Sequence, residues 1–286
     1  MQVITLSPDQ PFSLDQTLAC GQVFRWDRTD SGTWQGIVGN RVILLRQEGQ
    51  KLISEGAPAA FVRKYFSLDV DLAPIVSSID CDPFIHAAIG KCWGLRLIRQ
   101  PEWECLVSYT IATNSNIPTI RRRIAAVAER FGRKIRSNGK TWYAFPEPGT
   151  ISCEGQEALT CCKLGYREPY VFRTACAIPD RDVWEDTIRA LPYEDARREL
   201  MRLPGIGPKA ADCILLFAFQ KYEAFPVDVW IRRIMQQHYL PQPNIRTSLT
   251  GKEYDTIRRF GREHFGEYCG YAQEYLYAAR EGREKY

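Results

Sequence analysis

The sequence predicts an α+β protein: an N-terminal antiparallel β-sheet domain with flanking helices, residues 1–104, followed by an all-helical domain, residues 105–286. Three observations support this fold class. Apolar and polar residues alternate in much of the first part, as they do in half-buried strands. From about Glu102 the apolar residues instead recur with the period of an amphipathic helix. The 286 residues suffice for two domains of ordinary size.

The strand pattern is clearest in QVFRWDR, TWQGIVGN and RVILLRQ. The pairs Ser31-Gly32 and Gly39-Asn40 separate these segments. Such turn-forming pairs between alternating segments predict an antiparallel meander. Residues 58–92 contain the amphipathic pieces FVRKYF and DPFIHAAIGKCW, so we expect helices next to the sheet.

The second part predicts a series of helices joined by short connections rich in Gly and Pro. One stretch, residues 133–153, breaks the helical pattern and is predicted as a short hairpin or a long loop. The predicted helical segments are ECLVSYTIAT, IPTIRRRIAAVAERFG, YVFRTACAI, YEDARRELMRL, KAADCILLFAF, DVWIRRIMQQHYL, EYDTIRRFGREHFG and CGYAQEYLYAARE.

The composition is that of a globular protein, with 45% hydrophobic and 25% charged residues. No signal-peptide pattern opens the sequence, and the longest uncharged apolar run, residues 213–219, is too short to cross a bilayer. We therefore expect a soluble intracellular protein with no membrane contact.

The net charge of +4 is unevenly distributed. Residues 1–105 carry 10 Lys/Arg and 12 Asp/Glu, whereas residues 106–286 carry 28 and 22. A basic second part favours a polyanionic partner, although a solvated helix face would show the same excess.

The ten cysteines are scattered, and no two of them form a CxxC pair. The three histidines, His86, His238 and His264, are also far apart in the sequence. These spacings predict neither a metal site nor a disulfide framework, and the sequence implies no cofactor.

The segment LPGIGPKAADCILLFAF, residues 203–219, predicts a tight turn between two helices, the first ending at Leu203. Gly205 and Gly207 permit backbone conformations that other residues resist, and Pro208 suits the first turn of the second helix. The free amides at that helix start would form an anion site. A plain turn in a helical hairpin remains the alternative.

This segment resembles the helix-hairpin-helix motif of DNA-binding and repair proteins. The downstream FPVDVWIRRI resembles the Gly/Pro/Asp element of base-excision DNA glycosylases. In that superfamily a lysine at the position of Lys209 marks the bifunctional enzymes, so the resemblance implies that Lys209 and Asp228 are catalytic. Taken alone, Lys209 also fits a phosphate contact and Asp228 a helix N-cap.

The chemistry of base removal suits these two residue types. An amine can attack the anomeric carbon of the sugar and form a Schiff base, and a carboxylate can stabilise the positive charge that develops there. Attack requires a neutral amine. We therefore expect the pKa of Lys209 to be lowered by partial burial at a helix N-terminus.

Four further segments resemble the 8-oxoguanine DNA glycosylase family: CGQVFRW, ECLVSYTIATNSNIPTIRRRI, KLGYREPYV and GYAQEYLYAAR. With the hairpin, five elements in the same order cover nearly the whole chain. The resemblance implies a bifunctional 8-oxoguanine DNA glycosylase and abasic-site lyase. It would act as a monomer on double-stranded DNA containing an oxidised purine, in the cytoplasm at the nucleoid, or in the nucleus of a eukaryotic source.

The resemblance also implies a base pocket. Gly21 would offer its carbonyl to the N7 hydrogen that 8-oxoguanine has and guanine lacks. Gln273 would bind the Watson–Crick edge, and Tyr277 and Cys213 would lie on the two faces of the base. Taken one at a time, Gly21 also fits a turn glycine, and Gln273 fits a surface glutamine. Tyr277 and Cys213 also fit ordinary core packing.

A second group of residues would contact the DNA around the extruded base. Asn114 would fill the gap that the base leaves, Tyr166 would wedge beside the orphaned cytosine, and Arg167 would bind it. Gly205 and Gly207 would hold a phosphate through the backbone.

Two positions depart from the family pattern. Trp230, a predicted DNA contact, stands where eukaryotic members carry a histidine that contacts phosphate. Thr119 aligns with an arginine that reads the opposite cytosine, so we expect a weaker preference for cytosine. Only Cys269 follows Cys213, so the four-cysteine iron–sulfur cluster of the endonuclease III and adenine-mismatch branches is absent from this sequence.

Two other functions remain compatible with the residues. A glycosylase for a different damaged base would use the same lysine and aspartate. A non-catalytic DNA-binding module would use the hairpin alone, although phosphate binding gains nothing from Asp228.

Overall fold

The computed structural model describes residues 1–240 and 249–280. In these residues the chain begins with a five-stranded antiparallel sheet of order β1-β5-β4-β3-β2. The strands are β1 (Gln2–Thr5), β2 (Trp26–Arg28), β3 (Trp34–Val38), β4 (Arg41–Glu48) and β5 (Lys51–Glu55).

The predicted meander is confirmed in β2 to β4, which pair in sequence order. Its turns use Gly32 and Gly39, whose φ angles of +79° and +57° favour glycine. The strands β1 and β5 were not predicted. The strand β2 begins only at Trp26, four residues after the predicted start, because the residues before it turn away to form part of the candidate site.

Four helices accompany the sheet in the first part of the chain. They are α1 (Leu14–Ala19), α2 (Ala59–Tyr65), α3 (Leu72–Ile79) and α4 (Pro83–Lys91). The expected helices in residues 58–92 are thus present, whereas α1 was not anticipated. Asp71 and Asp82 cap the N-termini of α3 and α4 through their carboxylates.

The remaining chain is helical apart from one hairpin, β6 (Lys134–Ser137) and β7 (Lys140–Tyr143). The predicted break is therefore a hairpin followed by a short helix. The helices are α5 (Glu102–Ala112), α6 (Ile117–Phe131), α7 (Pro148–Glu154), α8 (Glu168–Ala177), α9 (Arg181–Ala190), α10 (Tyr193–Leu200), α11 (Pro208–Phe217), α12 (Val229–His238), α13 (Gly251–Phe265) and α14 (Cys269–Ala279). Short 3₁₀ turns span Gln156–Cys162, Gly165–Arg167 and Gly266–Tyr268.

The apolar interior forms two clusters. The sheet and α2 surround the smaller one, which contains Trp26, Leu45 and Phe66. The larger one fills the helical part and also receives α3 and α4. The last helices of the predicted domain 1–104 therefore pack with the second part of the chain.

None of the helices within residues 1–240 and 249–280 is long and apolar enough to cross a membrane.

Candidate active site

The hairpin turn lies between α10 and α11. The first helix ends at Leu200, three residues earlier than predicted. Gly205 has a φ of +81°, and a Cβ there would lie 2.6 Å from the Tyr170 ring, so both backbone and space require glycine. The expectation for Gly207 was wrong: its φ of −92° is ordinary extended backbone, and a Cβ there would meet no atom within 4 Å.

The start of α11 is open to an anion. Gly207 is its N-cap and supplies no side-chain hydrogen bond, and Pro208 occupies the first turn. The free backbone amides and the positive end of the helix dipole attract negative charge. Since Gly207 is exposed and has no side chain, a phosphate can approach the backbone closely.

Lys209 leaves this open helix start and turns toward the protein. It is partly buried, and its Nζ lies 4.9 Å from the centre of the Tyr109 ring, on α5. One helical turn later, the buried Cys213 thiol lies near enough to the amine to raise its pKa. The amine is thus held between an aromatic face and a thiol.

The pKa of Lys209 is raised, contrary to expectation. Burial lowers this pKa, but Cys213, Asp228 and Glu274 raise it by more. Burial also raises the pKa of Cys213 to about 12, so this thiol is uncharged at neutral pH. The carboxylates of Asp228 and Glu274 belong to other helices, so the segment around Lys209 could not show their effect on its pKa.

Asp212 secures α11 to its neighbours. Its fully buried carboxylate accepts hydrogen bonds from Tyr193 Oη at 2.6 Å and Arg197 Nε at 2.9 Å, both on α10, and from the hydroxyl of Tyr254 on α13. This network fixes the rotation of α11 and therefore the direction in which Lys209 points.

Asp228 caps the N-terminus of α12. Its Oδ1 accepts hydrogen bonds from the backbone amides of Trp230 at 2.9 Å and Ile231 at 2.8 Å. Asp228 therefore does act as a helix N-cap, the role that the sequence offered as an alternative to catalysis. Its charge also raises the pKa of Lys209, so the two side chains lie within electrostatic reach. The cap holds the carboxylate in a fixed orientation beside the amine.

The Gly21 turn lies against Tyr277 of α14 and Ile117 of α6. A Cβ on Gly21 would lie 3.6 Å from Ile117 Cδ1 and 3.7 Å from Tyr277 Cε1. The φ of +106° at Gly21 strongly disfavours any other residue. The structure thus brings together two predicted pocket residues that are 256 positions apart in the sequence (277 − 21).

Gln273 lies on the same face of α14 as Tyr277, one turn earlier. It is 5% exposed, and within the described residues its buried Oε1 has no hydrogen-bond partner. A buried amide oxygen without a partner is costly, so a ligand that donates to it would relieve the cost. Tyr277 is half-buried, with the Arg280 guanidinium 3.7 Å from its ring centre.

Gln22 anchors the Gly21 turn, a role the sequence did not suggest. Its buried amide donates to Thr17 O and Arg96 O at 3.1 and 2.9 Å and accepts from Ile98 N at 2.8 Å. Its backbone carbonyl accepts from the Gln100 side chain at 2.6 Å. The neighbouring glycine is therefore held by a buried frame. A glutamine next to a turn glycine was the one signal available.

Asn114 and Tyr166 form an exposed pair. Asn114 has a φ of +49°, and its Nδ2 lies 3.4 Å from the Tyr166 hydroxyl. Tyr166 is 53% exposed, an unusual position for a large aromatic side chain. Both side chains are free to meet a ligand.

Arg167 is buried, whereas a side chain that contacts a base in DNA would need to be exposed. It is 4% exposed, and its guanidinium donates to the carbonyls of Thr113, at 2.9 Å, and Asn114, at 3.1 Å. It also lies against the Tyr166 ring, 4.3 Å from its centre. In this state Arg167 holds the Asn114 loop in position, and its contact with cytosine stays a prediction.

Trp230 has two arginines over its ring. The guanidinium carbons of Arg233 and Arg280 lie 5.0 and 5.7 Å from the ring centre. Trp230 itself cannot carry charge, but these neighbours place positive charge at the start of α12. Sequence reasoning considered Trp230 alone and missed both arginines.

An amine at an open helix-hairpin-helix turn, within electrostatic reach of a helix-capping carboxylate and combined with a buried unpartnered amide oxygen, defines a helix-hairpin-helix DNA glycosylase of the lysine-bearing type.

Comparisons with known proteins agree with this class. Residues 4–106 match the N-terminal domain of 8-oxoguanine DNA glycosylase. The probable N-glycosylase/DNA lyase of Methanothermobacter thermautotrophicus is 33% identical over 233 residues, covering 74% of this chain and 71% of that protein. The N-glycosylase/DNA lyase OGG1 of Arabidopsis thaliana is 28% identical over 282 residues, covering 93% of this chain and 77% of that protein.

Solved structures give the same result. The apo-form crystal structure of Clostridium acetobutylicum 8-oxoguanine glycosylase/lyase superposes with a TM-score of 0.87 and 32% identity, covering 94% of this chain and 93% of that one. The chain therefore belongs to the 8-oxoguanine DNA glycosylase family, and it is an N-glycosylase/DNA lyase.

Proposed function

We propose that this protein excises 8-oxoguanine from duplex DNA, with Lys209 as the nucleophile. The observation that carries the proposal is the position of the Lys209 amine. It leaves a turn open to phosphate and lies within electrostatic reach of Asp228, and the family resemblance assigns the neighbouring cleft between Gly21 and Tyr277 to the base.

In the first step, Nζ of Lys209 forms a bond to C1′ of the deoxyribose while the C1′–N9 bond breaks. The base leaves with the bonding electron pair and takes up a proton. Positive charge develops on the sugar, and the Asp228 carboxylate stabilises it. Since the cap fixes this carboxylate before the reaction, little reorganisation is needed.

In the second step, the nitrogen loses a proton and its lone pair forms the C1′=N bond of an imine while the C1′–O4′ bond breaks and O4′ takes up a proton. Loss of a C2′ proton then expels the 3′ phosphate, and the electrons of the C2′–H bond form the new double bond. Water releases the lysine. The raised pKa of Lys209 means that the amine must lose a proton before attack, which makes deprotonation a distinct requirement of the reaction.

Recognition of 8-oxoguanine would combine two polar groups. The Gly21 carbonyl would accept a hydrogen bond from N7–H, whereas N7 of guanine would face it as a second acceptor. Gln273 would pair with the Watson–Crick edge, satisfying its buried Oε1. Tyr277 and Cys213 would stack on the two faces of the base.

DNA is the partner, and we propose that a monomer binds it. The C. acetobutylicum enzyme, 30% identical with a TM-score of 0.87, has been solved in complex with double-stranded DNA containing cytosine opposite 8-oxoguanine. Asn114 and Tyr166 would occupy the gap on the opposite strand, supported by Arg167. The Gly205–Gly207 turn and Trp230 would hold the backbone of the damaged strand.

We further propose that residues 1–104 supply the base-recognition turn and residues 105–286 the catalytic hairpin. The protein would act wherever the chromosome is: at the nucleoid in a prokaryotic cytoplasm, or in a eukaryotic nucleus.

Borohydride trapping tests the proposal. Wild type is incubated with a duplex containing 8-oxoguanine opposite cytosine, beside Lys209→Gln and an undamaged guanine duplex. We expect a covalent protein–DNA adduct with wild type and the lesion alone. An adduct formed by Lys209→Gln would exclude Lys209 as nucleophile. Trapping on abasic DNA but not on 8-oxoguanine DNA would point to a different damaged base.

A further inference from the structure

Cys81, Asp82 and His264 form a cluster of metal-ligating side chains outside the candidate active site. Cys81 and Asp82 lie in the connection between α3 and α4, and His264 lies in the last turn of α13. Sequence spacing gave no sign of it, because the histidine is 182 positions from the aspartate. The fold alone brings the three groups together.

The ligand atoms are spaced as a tetrahedral zinc ion requires. Cys81 Sγ lies 3.5 Å from His264 Nε2, His264 Nε2 lies 3.0 Å from Asp82 Oδ2, and Sγ lies 3.9 Å from Oδ2. With Zn–S about 2.3 Å and Zn–N and Zn–O about 2.1 Å, tetrahedral angles give ligand separations of about 3.4 to 3.6 Å. Each of the three observed distances between ligand atoms is within about 0.4 Å of that range. Small side-chain rotations are enough to close this difference.

The surrounding residues hold two of the ligands in place. Asp82 Oδ1 accepts the amides of Phe84 at 2.8 Å and Ile85 at 3.0 Å, which directs Oδ2 toward the histidine. The His264 ring stacks on Phe260, with centroids 5.2 Å apart, and packs edge-on against Tyr239. Such support is typical of metal ligands, because it fixes their orientation before binding.

We propose that Cys81, Asp82 and His264 bind one Zn²⁺ ion, with water in the fourth position. A thiolate, a neutral imidazole and a carboxylate are ligands that zinc accepts, and together they neutralise its charge. The exposed Cys81 leaves one side of the triangle open to solvent. The ion would connect the α3–α4 link to the end of α13, next to the helix that carries Gln273.

The test uses the full chain, freed of metal with a chelator and then titrated with Zn²⁺ against a chromophoric competitor. Cys81→Ser removes the sulfur ligand at an exposed position. Asp82→Asn keeps an N-cap for α4 while weakening the ligand. Cys153→Ser is the matched control, since Cys153 is also an exposed cysteine.

We expect one Zn²⁺ per chain in wild type and in Cys153→Ser, with an upward shift of Tm on binding. Binding should be lost in Cys81→Ser and weakened at least about tenfold in Asp82→Asn. With Co²⁺ as the probe, wild type should show a thiolate-to-metal charge-transfer band that Cys81→Ser lacks. Equal zinc binding by wild type and Cys81→Ser, or no binding by either, would overturn the proposal.

Discussion

The amino group of Lys209 lies 4.9 Å from the centre of the Tyr109 ring, and the Cys213 thiol, one helical turn later, raises the pKa of the same amine. The ring face and the nearby carboxylates of Asp228 and Glu274 favour the ammonium form. In the DNA-free protein the proposed nucleophile, Lys209, is therefore protonated at neutral pH. Because folding raises this pKa, the ammonium stabilises the fold at every pH below the unfolded-state pKa, neutral pH included, and that contribution is lost as the pH rises through the folded-state value.

Lyase activity on a preformed abasic site should increase with pH. Only the neutral amine attacks, and below its pKa the neutral fraction rises about tenfold per pH unit. Single-turnover strand cleavage, measured from about pH 6 to about pH 9, should therefore climb throughout this range. Lys209→Gln should be inactive at every pH. A profile that is flat in wild type would mean that deprotonation of Lys209 does not limit the reaction.

Gly21→Ala should separate base recognition from lyase chemistry. The φ of +106° at Gly21 resists an alanine, so the turn and its carbonyl would shift relative to Tyr277. We expect excision of 8-oxoguanine to fall by at least about a hundredfold, whereas cleavage at a preformed abasic site stays within about threefold of wild type. Gly39→Ala, at another positive-φ glycine distant from the site, is the control for backbone strain. Equal loss of both activities in Gly21→Ala would contradict a recognition role.

The two hairpin glycines should respond differently to alanine. Gly205→Ala places a Cβ 2.6 Å from the Tyr170 ring at a φ of +81°, and should destabilise the protein by more than about 1 kcal/mol. Gly207→Ala meets no atom within 4 Å and should stay within about 0.5 kcal/mol of wild type. Urea unfolding measures both, and DNA affinity at fixed salt shows whether the added methyl group of Gly207→Ala obstructs a phosphate. A large stability loss in Gly207→Ala would be inconsistent with its open surroundings.

Asp212→Ala should destabilise the hairpin strongly. It leaves the buried guanidinium of Arg197 without its main partner and two tyrosine hydroxyls without their acceptor. The expected loss is about 3 to 5 kcal/mol in the free energy of unfolding. Asp195→Ala, which removes an exposed carboxylate from α10, should cost less than about 0.5 kcal/mol. Similar unfolding curves for the two variants would show that the buried network contributes little.

Selectivity for the base opposite the lesion should be weak in wild type and should increase in Thr119→Arg. The short Thr119 side chain accepts a hydrogen bond from Arg122 at 3.3 Å and cannot reach far into the DNA. An arginine there could bind cytosine, and a good base contact contributes about 1 to 3 kcal/mol of discrimination. Excision rates from duplexes with C, A, G or T opposite 8-oxoguanine measure the effect. Strong cytosine selectivity in wild type would refute this account of Thr119.

The sequence predicted the parts of this molecule that depend on local pattern. The meander, most helices and the hairpin turn follow from periodicity and from Gly and Pro, whereas the catalytic roles of Lys209 and Asp228 come from the family resemblance and stay predictions. The direction of the Lys209 pKa shift was wrong because Cys213, Asp228 and Glu274 together outweigh the effect of burial, and tertiary packing brings the last two near. Local pattern likewise could not show that Arg167 is buried against the Asn114 loop or that α3 joins the helical core.

Gln22 connects three stretches of backbone that lie far apart in the chain. The neighbouring Gly21, which it supports, faces Tyr277 on α14, near the opposite end of the sequence. The proposed nucleophile and the proposed lesion-recognition turn thus come from different parts of one polypeptide. A protease that removed the first hundred residues would delete the Gly21 turn and also α3 and α4, which pack in the same apolar core as the hairpin helices. Under the proposed function, loss of lesion recognition is therefore coupled to loss of the catalytic fold, so a truncated chain could not cut the sugar–phosphate backbone at undamaged sites.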